Sequence, residues 1–139
     1  MGCYHSCVLN SSIDDVWAAI RDFHDLSWAV GVKTLEKVGG KSGTEVGAGR
    51  ILNGAIHETL LELDSDYYVI IYSIDDGPAA LSKATMEGFR GVIQLSPITV
   101  GSGTFIEWSA SWRSDSDGVE EFCDPIYQAG LTALQAKFG

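Results

Sequence analysis

The sequence predicts an α+β fold in which a seven-stranded antiparallel sheet wraps around a long C-terminal helix, with two short helices after the first strand. Three observations predict it. From Val32 to Arg113 the chain is a series of short β-rich runs divided by Gly-Gly, Asn-Gly, Ser-Asp, Asp-Gly and Gly-Ser-Gly breaks, which suits hairpins. Apolar residues recur at helical spacing only near the N-terminus and in the last segment. A chain of 139 residues suits one domain, and area scaling gives a folded surface of about 7,000 Å² against about 21,600 Å² unfolded, enough burial for a core.

Residues 3 to 9 read as the first strand. Ser11 and Ser12 then precede Ile13, Val16, Trp17, Ile20 and Phe23, which share one helical face, with Asp14 and Asp15 in the first turn; this predicts a helix over 12–23. His24 to Val30 is expected as a second short helix or turn, with Trp28 as a core anchor. Six strands follow near 32–38, 47–53, 55–64, 67–75, 88–96 and 103–113. After Asp117-Gly118 a long helix carries Val119, Phe122, Ile126, Leu131, Leu134 and Phe138 along one side. Pro125 either interrupts it or opens it behind an Asp124 cap, and the sequence leaves both open. A sheet of this size needs one face covered, and only the last helix is long enough; a twisted sheet gripping one helix encloses space that side chains need not fill.

Nineteen acidic against nine basic residues give a formal charge of −10 with no basic cluster, which argues against nucleic acid or an anionic bilayer as partner. There is neither a signal-peptide pattern nor a run of eighteen apolar residues, so the expectation is a cytoplasmic protein with no integral membrane segment. Cys3, Cys7 and Cys123 are odd in number and lack a CxxC pair, which predicts buried thiols; Cys3, His5 and Cys7 share a strand face but show no fourth metal ligand. Met1 to Ser6 fits the permissive myristoylation pattern, with Cys3 as a second acylation site, and Asn10-Ser11-Ser12 fits a glycosylation sequon. A first strand and a helix cap explain the two segments more simply.

Ile13-Asp14-Asp15-Val16-Trp17-Ala18-Ala19-Ile20-Arg21-Asp22-Phe23, Val46-Gly47-Ala48-Gly49-Arg50, Glu58 to Asp64 and Thr104 to Ser109, in this order and spacing, resemble the SRPBCC superfamily (START-like, polyketide cyclase/dehydrase and lipid transport). The resemblance covers nearly the whole chain and implies the helix-grip fold. The superfamily hosts carriers, receptors, cyclases and condensing enzymes, so it does not fix an activity. Compared with its plant abscisic acid receptors, Lys33 falls on the lysine that meets the ligand carboxylate. Glu58 and Glu107 fall on acidic cavity positions, and Tyr72, Phe89, Phe122 and Ile126 on the apolar wall. The gate and latch loops differ, being Asn53-Gly54-Ala55 and Gly77-Pro78-Ala79-Ala80-Leu81 here, so no hormone receptor is predicted.

Strand alternation groups Tyr72 with Ile70 and Ile74, and Phe89 with Gly91 and Ile93. Gly91 either leaves a gap for a ligand or permits a close backbone approach. In the last strand alternation sends Glu107 to solvent and Trp108 and Trp112 to the other face, whereas the resemblance sends Glu107 inward; it is kept as a site residue. Lys33, Glu58 and Glu107 are candidates for an interior ionic cluster or for ordinary surface charges, and Arg50 reads as structural. His57 should face away from Glu58, and His24 sits in a turn. No arrangement for nucleophilic catalysis is visible.

The function expected is binding of a small hydrophobic molecule between sheet and C-terminal helix, without a cofactor, by a monomer or weak homodimer, with Asn53-Gly54 and Gly77 to Ala84 gating the opening. The candidate binding residues are Lys33, Glu58, Tyr72, Phe89, Gly91, Glu107, Phe122 and Ile126. The alternatives are a cyclase/dehydratase-type enzyme using Glu58 or Glu107 as acid/base, and an interaction module docking through an exposed Trp108–Trp112 face.

Overall fold

The computed structural model describes residues 1–139. The chain runs β1 (Gly2–Leu9), α1 (Ile13–Ile20), β2 (Leu35–Val38), β3 (Gly49–Leu52), β4 (Ile56–Asp64), β5 (Val69–Asp76), β6 (Glu87–Pro97), β7 (Thr104–Arg113) and α2 (Gly118–Phe138). All strand pairs are antiparallel, in the order β1-β7-β6-β5-β4-β3-β2. The accessible surface of 7176 Å² agrees with the area expected from chain length.

Ser12 caps α1, its hydroxyl accepting from the Asp15 N–H at 3.3 Å, and Asp14 and Asp15 lie at the favourable end of the helix dipole. The helix stops at Ile20, earlier than the apolar spacing predicts, although Phe23 still points into the core. The second short helix is not formed: residues 24–30 are turns, closed by Asp25 N–H to Asp22 O and Ala29 N–H to Leu26 O. Short side chains of Asp22 and Asp25 take the N–H groups of His24 and Ser27, and this local bonding competes with helix. Asn10 of the sequon donates to Gly139 O, 2.5 Å away, tying the start of α1 to the end of α2.

Of the two options for Pro125, the helix runs through it: α2 begins at Gly118 and encloses the proline, forgoing one backbone bond. Its buried face is Val119, Cys123, Tyr127, Gly130, Leu131 and Leu134. This stripe is rotated from the expected one, so Phe122 is half-buried and Ile126 is 40% exposed on the flank. The β1 face carrying Cys3, His5 and Cys7 packs toward α2, with His5 Nε2 2.9 Å from Asp124 Oδ1. Burial and the Asp124 carboxylate push the Cys3 thiol up to about 11, and burial raises Cys123 and Cys7 as well, so none is a ready nucleophile.

Three rings hold α2 onto the sheet. Trp108 (β7) stacks on Tyr127 (α2) with centroids 4.2 Å apart and 16° between planes. The Trp108 indole N–H donates to the Tyr72 hydroxyl at 3.1 Å, and the Tyr72 and Tyr127 hydroxyls share a 2.6 Å hydrogen bond. Two glycines make room for them. Tyr72 lies opposite Gly91 in the β5–β6 register, and a Cβ on Gly91 would overlap the Tyr72 ring. A Cβ on Gly130 would sit 2.5 Å from Trp108 Cζ3. Of the two readings of Gly91, close approach is the one that holds, and Tyr72 fills the space beside it. Trp108 and Trp112 are 8% and 3% exposed, so the expected docking face of exposed tryptophans does not exist.

Gly130→Ala tests this seating. Alanine favours a helix interior over glycine by about 1 kcal/mol, but overpacking a filled site costs about 1–3 kcal/mol. Urea unfolding should show a net loss of stability; a gain would mean that the Trp108 ring yields freely.

Candidate functional site

Beside the three rings, between the sheet and the flank of α2, lies a cavity of about 130 Å³. Eighteen of its 23 lining residues are hydrophobic. Inward-facing Ile70, Tyr72 and Ile74 of β5 and Ile93 of β6 form the floor. Phe23 and Trp28 close one side, and Phe122, Ile126 and Tyr127 of α2 the other. At the rim stand Val30, 68% exposed, and Ile126, so the mouth itself is apolar.

One wall carries a buried ion pair. Arg50 and Glu58 are direct partners in the β3–β4 register and are 7% exposed each. Arg50 Nε and Nη2 both reach Glu58 Oε1, at 2.7 and 2.6 Å. Arg50 Nη1 donates to Phe23 O at 2.8 Å, and the guanidinium lies 3.7 Å over the Phe23 ring. Every guanidinium nitrogen is thereby engaged, whereas Glu58 Oε2 has no hydrogen-bond partner in the protein. Burial pushes the Glu58 carboxyl above the usual carboxylate range, and the Arg50 charge draws it part of the way back. Burial also raises the Tyr72 and Tyr127 phenols, with Glu58 adding to the rise, so both remain neutral and act as hydrogen-bond groups only.

Of the residues singled out from sequence, Glu58, Tyr72, Phe122 and Ile126 line the cavity together; Lys33, Phe89, Gly91 and Glu107 do not. Glu107 is on the outer face of β7, accepting from the Tyr4 hydroxyl at 2.6 Å. Alternation along a strand with a filled inner face placed it there, since Trp108 takes the inward position. Lys33 is exposed, on a shallow polar cleft with His24, Asp25 and Ser27, so no Lys33–Glu58–Glu107 cluster forms. Phe89 is buried but stacks on Trp112 with 8° between planes, away from the lining.

Asn53 borders the mouth as expected, but it is pinned: its side chain accepts from the Lys33 N–H at 2.7 Å and donates to Gly31 O at 2.9 Å. The Gly77–Ala84 segment, expected as a second gate, instead packs against the start of α2 through Ala80 and buries Leu81. His57 is exposed and faces away from Glu58, and His24 Nε2 lies 2.9 Å from Gly49 O.

Most of the lining lies outside the residues singled out from sequence, and three of those carry polar groups. Arg50, structural by its sequence pattern, stands opposite Glu58 across a tight hairpin, which is the signal the sequence offers for it. Tyr127 follows Val119 and Cys123 at four-residue steps, a stripe that competes with the one chosen. Trp28 lines the cavity with a buried indole N–H that no protein group accepts.

Removing Arg50 alone should be costly. Arg50→Met is expected to lose about 3–5 kcal/mol at neutral pH by leaving Glu58 buried and unpaired, and adding Glu58→Leu should restore most of it. The unpaired Glu58 carboxyl is raised above its unfolded value of about 4.3, so its contribution is intact below that pH and is lost as pH rises through the folded value. The stability gap between wild type and Arg50→Met should therefore widen as pH rises above about 4.3 in denaturant titrations.

Comparisons with known proteins agree on the fold. A family model described as polyketide cyclase / dehydrase and lipid transport matches residues 4–139. A protein from Nitrosospira multiformis is 38% identical, with a TM-score of 0.96 over 100% of this chain and 97% of that one. XoxI from Bacillus cereus is 24% identical, with a TM-score of 0.81 over 99% and 94% of the two chains. Norcoclaurine synthase from Thalictrum flavum, 16% identical, has the same fold, with a TM-score of 0.77 over 98% and 84%. No curated protein matches the chain. No helix is long and apolar enough to cross a membrane. With its helix-grip architecture and a family match across all but its first three residues, the chain belongs to the polyketide cyclase / dehydrase and lipid transport family.

Proposed function

We propose that this chain binds a small, mostly apolar molecule in the cavity between its sheet and α2. The observation that carries the reading is the cavity itself: about 130 Å³ of space walled mainly by hydrophobic side chains, with an apolar rim and a few polar groups on its walls. Apolar walls supply affinity and sparse polar groups supply orientation, without a cofactor. The size restricts the occupant. Pockets for drug-sized ligands run to about 300–1,000 Å³, and an engineered cavity of about 150 Å³ takes benzene. A compact molecule fits this volume, and a diacyl lipid does not.

A second reading is favoured by Glu58. Its unpartnered Oε2 and its raised carboxyl are attributes of a general acid or base facing a bound substrate. Arg50 would keep the carboxyl oriented, and the walls would hold the reacting chain in a productive conformation. Glu107 has no part in this reading, because it lies on the opposite face of the sheet.

Thermal-shift measurements with a panel of single-ring compounds test the binding reading. A ligand at about one hundred times its Kd should stabilise the protein by about 2.7 kcal/mol. Ile93→Phe, which extends a floor residue into the cavity, should fold with little loss and abolish the shift. A shift that survives this change would locate binding elsewhere. Glu58→Gln separates the two readings: an enzyme loses turnover while still binding, and a carrier changes only in affinity.

A further inference from the structure

We propose that the free carboxylate oxygen of Glu58 is the polar recognition point of this cavity and that it selects a single-ring-sized ligand bearing a hydroxyl group, whose proton is donated to Glu58 Oε2. The inference rests on the binding reading above and adds the polar pattern of the ligand.

The polar side chains of the lining differ in what they still offer. Asn53 is bonded to the backbone of Gly31 and Lys33. The Tyr72 and Tyr127 hydroxyls are bonded to each other, and Trp108 donates to Tyr72. The Trp28 indole nitrogen has no partner, but it is shut away from any group entering the cavity, as Trp112 is from solvent. These two nitrogens are the only buried side-chain polar atoms of the protein with neither partner nor accessible surface. Glu58 Oε2 is also without a partner and is not one of them, so a water-sized group reaches it.

The neighbours of Glu58 show which side that access comes from. The residue is 7% exposed, and its partners across the strands, Arg50 on β3 and Ile74 on β5, both line the cavity with it. The β4–β5 register shifts between His57 and Glu58, and an irregularity of this kind re-aims side chains; here His57 is left exposed and Glu58 is set in the cavity wall.

The ion pair fixes the class of donor. A carboxylate held by a guanidinium only accepts hydrogen bonds, so the ligand must supply the proton. An ammonium would place a second cation beside Arg50 on the same carboxylate and leave an uncompensated charge in an apolar wall. A carboxylate ligand has no proton to give and meets the charge on Oε2. A hydroxyl adds no charge, and its oxygen can accept from an N–H that Arg50 keeps uncommitted on Nη1 or Nη2.

Phenol, toluene, benzylamine and benzoate, which share one ring and differ in the polar group, make the test. Their affinities are compared in the wild type and in Arg50→Met/Glu58→Leu, which removes both charges together. The phenol-to-toluene affinity ratio should be about tenfold or more higher in the wild type, as one hydrogen bond to a charged acceptor sets, and toluene should bind both proteins alike. In ¹³C spectra phenol should move the Glu58 carboxyl resonance and toluene should leave it in place. Should the double variant not fold, the carboxyl shift in the wild-type protein decides alone. An unchanged ratio, an unmoved Glu58 resonance, or tightest binding of benzylamine or benzoate overturns hydroxyl recognition by Glu58 while leaving the cavity reading intact. Absence of binding by all four overturns both.

Discussion

The hydrogen-bonded stack of Trp108, Tyr72 and Tyr127 is the contact on which the interior depends, because it joins the central strands to α2 at one place and leaves them apart beside it. The two hydroxyls and one indole meet within 3.1 Å, and the rings reach each other only because Gly91 and Gly130 carry no side chain. A glycine inside a helix costs about 1 kcal/mol and one inside a strand weakens it, so both positions sacrifice local propensity for packing across the layers. On one side of this stack Phe89 and Trp112 fill the space between the layers. On the other, the isoleucines of β5 and β6 and the flank of α2 leave the cavity.

The Arg50–Glu58 pair gives the cavity its second constraint. Two buried charges are tolerated because they neutralise each other at hydrogen-bond distance, and the cation is further satisfied by a backbone oxygen and the face of Phe23. The pair is asymmetric: each guanidinium nitrogen has one partner, two of them the same Glu58 Oε1, and the other carboxylate oxygen is left over. The polar groups among the lining are therefore the Glu58 carboxylate, the Arg50 guanidinium and the neutral phenols of Tyr72 and Tyr127.

The fold was legible in the sequence because its signals are local. Hairpin glycines mark the breaks between strands, Ser12 and the two aspartates mark the start of α1, and the apolar spacing after Gly118 marks α2. The site was less so, for reasons particular residues make plain. Alternation along β7 placed Glu107 outward and Trp108 inward, while family resemblance reversed Glu107; the inward space is already held by Trp108, so the local pattern prevailed. In α2 two apolar stripes overlap: the one through Phe122 and Ile126 lines the cavity, and the one through Cys123 and Tyr127, which the helical spacing also allows, is the buried face. Gly91 allows either a ligand gap or a close approach, and only the position of the Tyr72 ring decides between them. The missing acceptor at Trp28 is a three-dimensional fact that no spacing encodes.

The central claim is that the sheet and α2 enclose accessible space next to the aromatic stack. Isoleucine methyl spectra recorded under xenon pressure address it most directly, since xenon enters apolar cavities without needing specific contacts. The account predicts saturable shifts at Ile20, Ile70, Ile74 and Ile93, which line the cavity, and none at Ile106, which is fully buried elsewhere in the core. Unmoved cavity isoleucines, or equal shifts at Ile106, would contradict it.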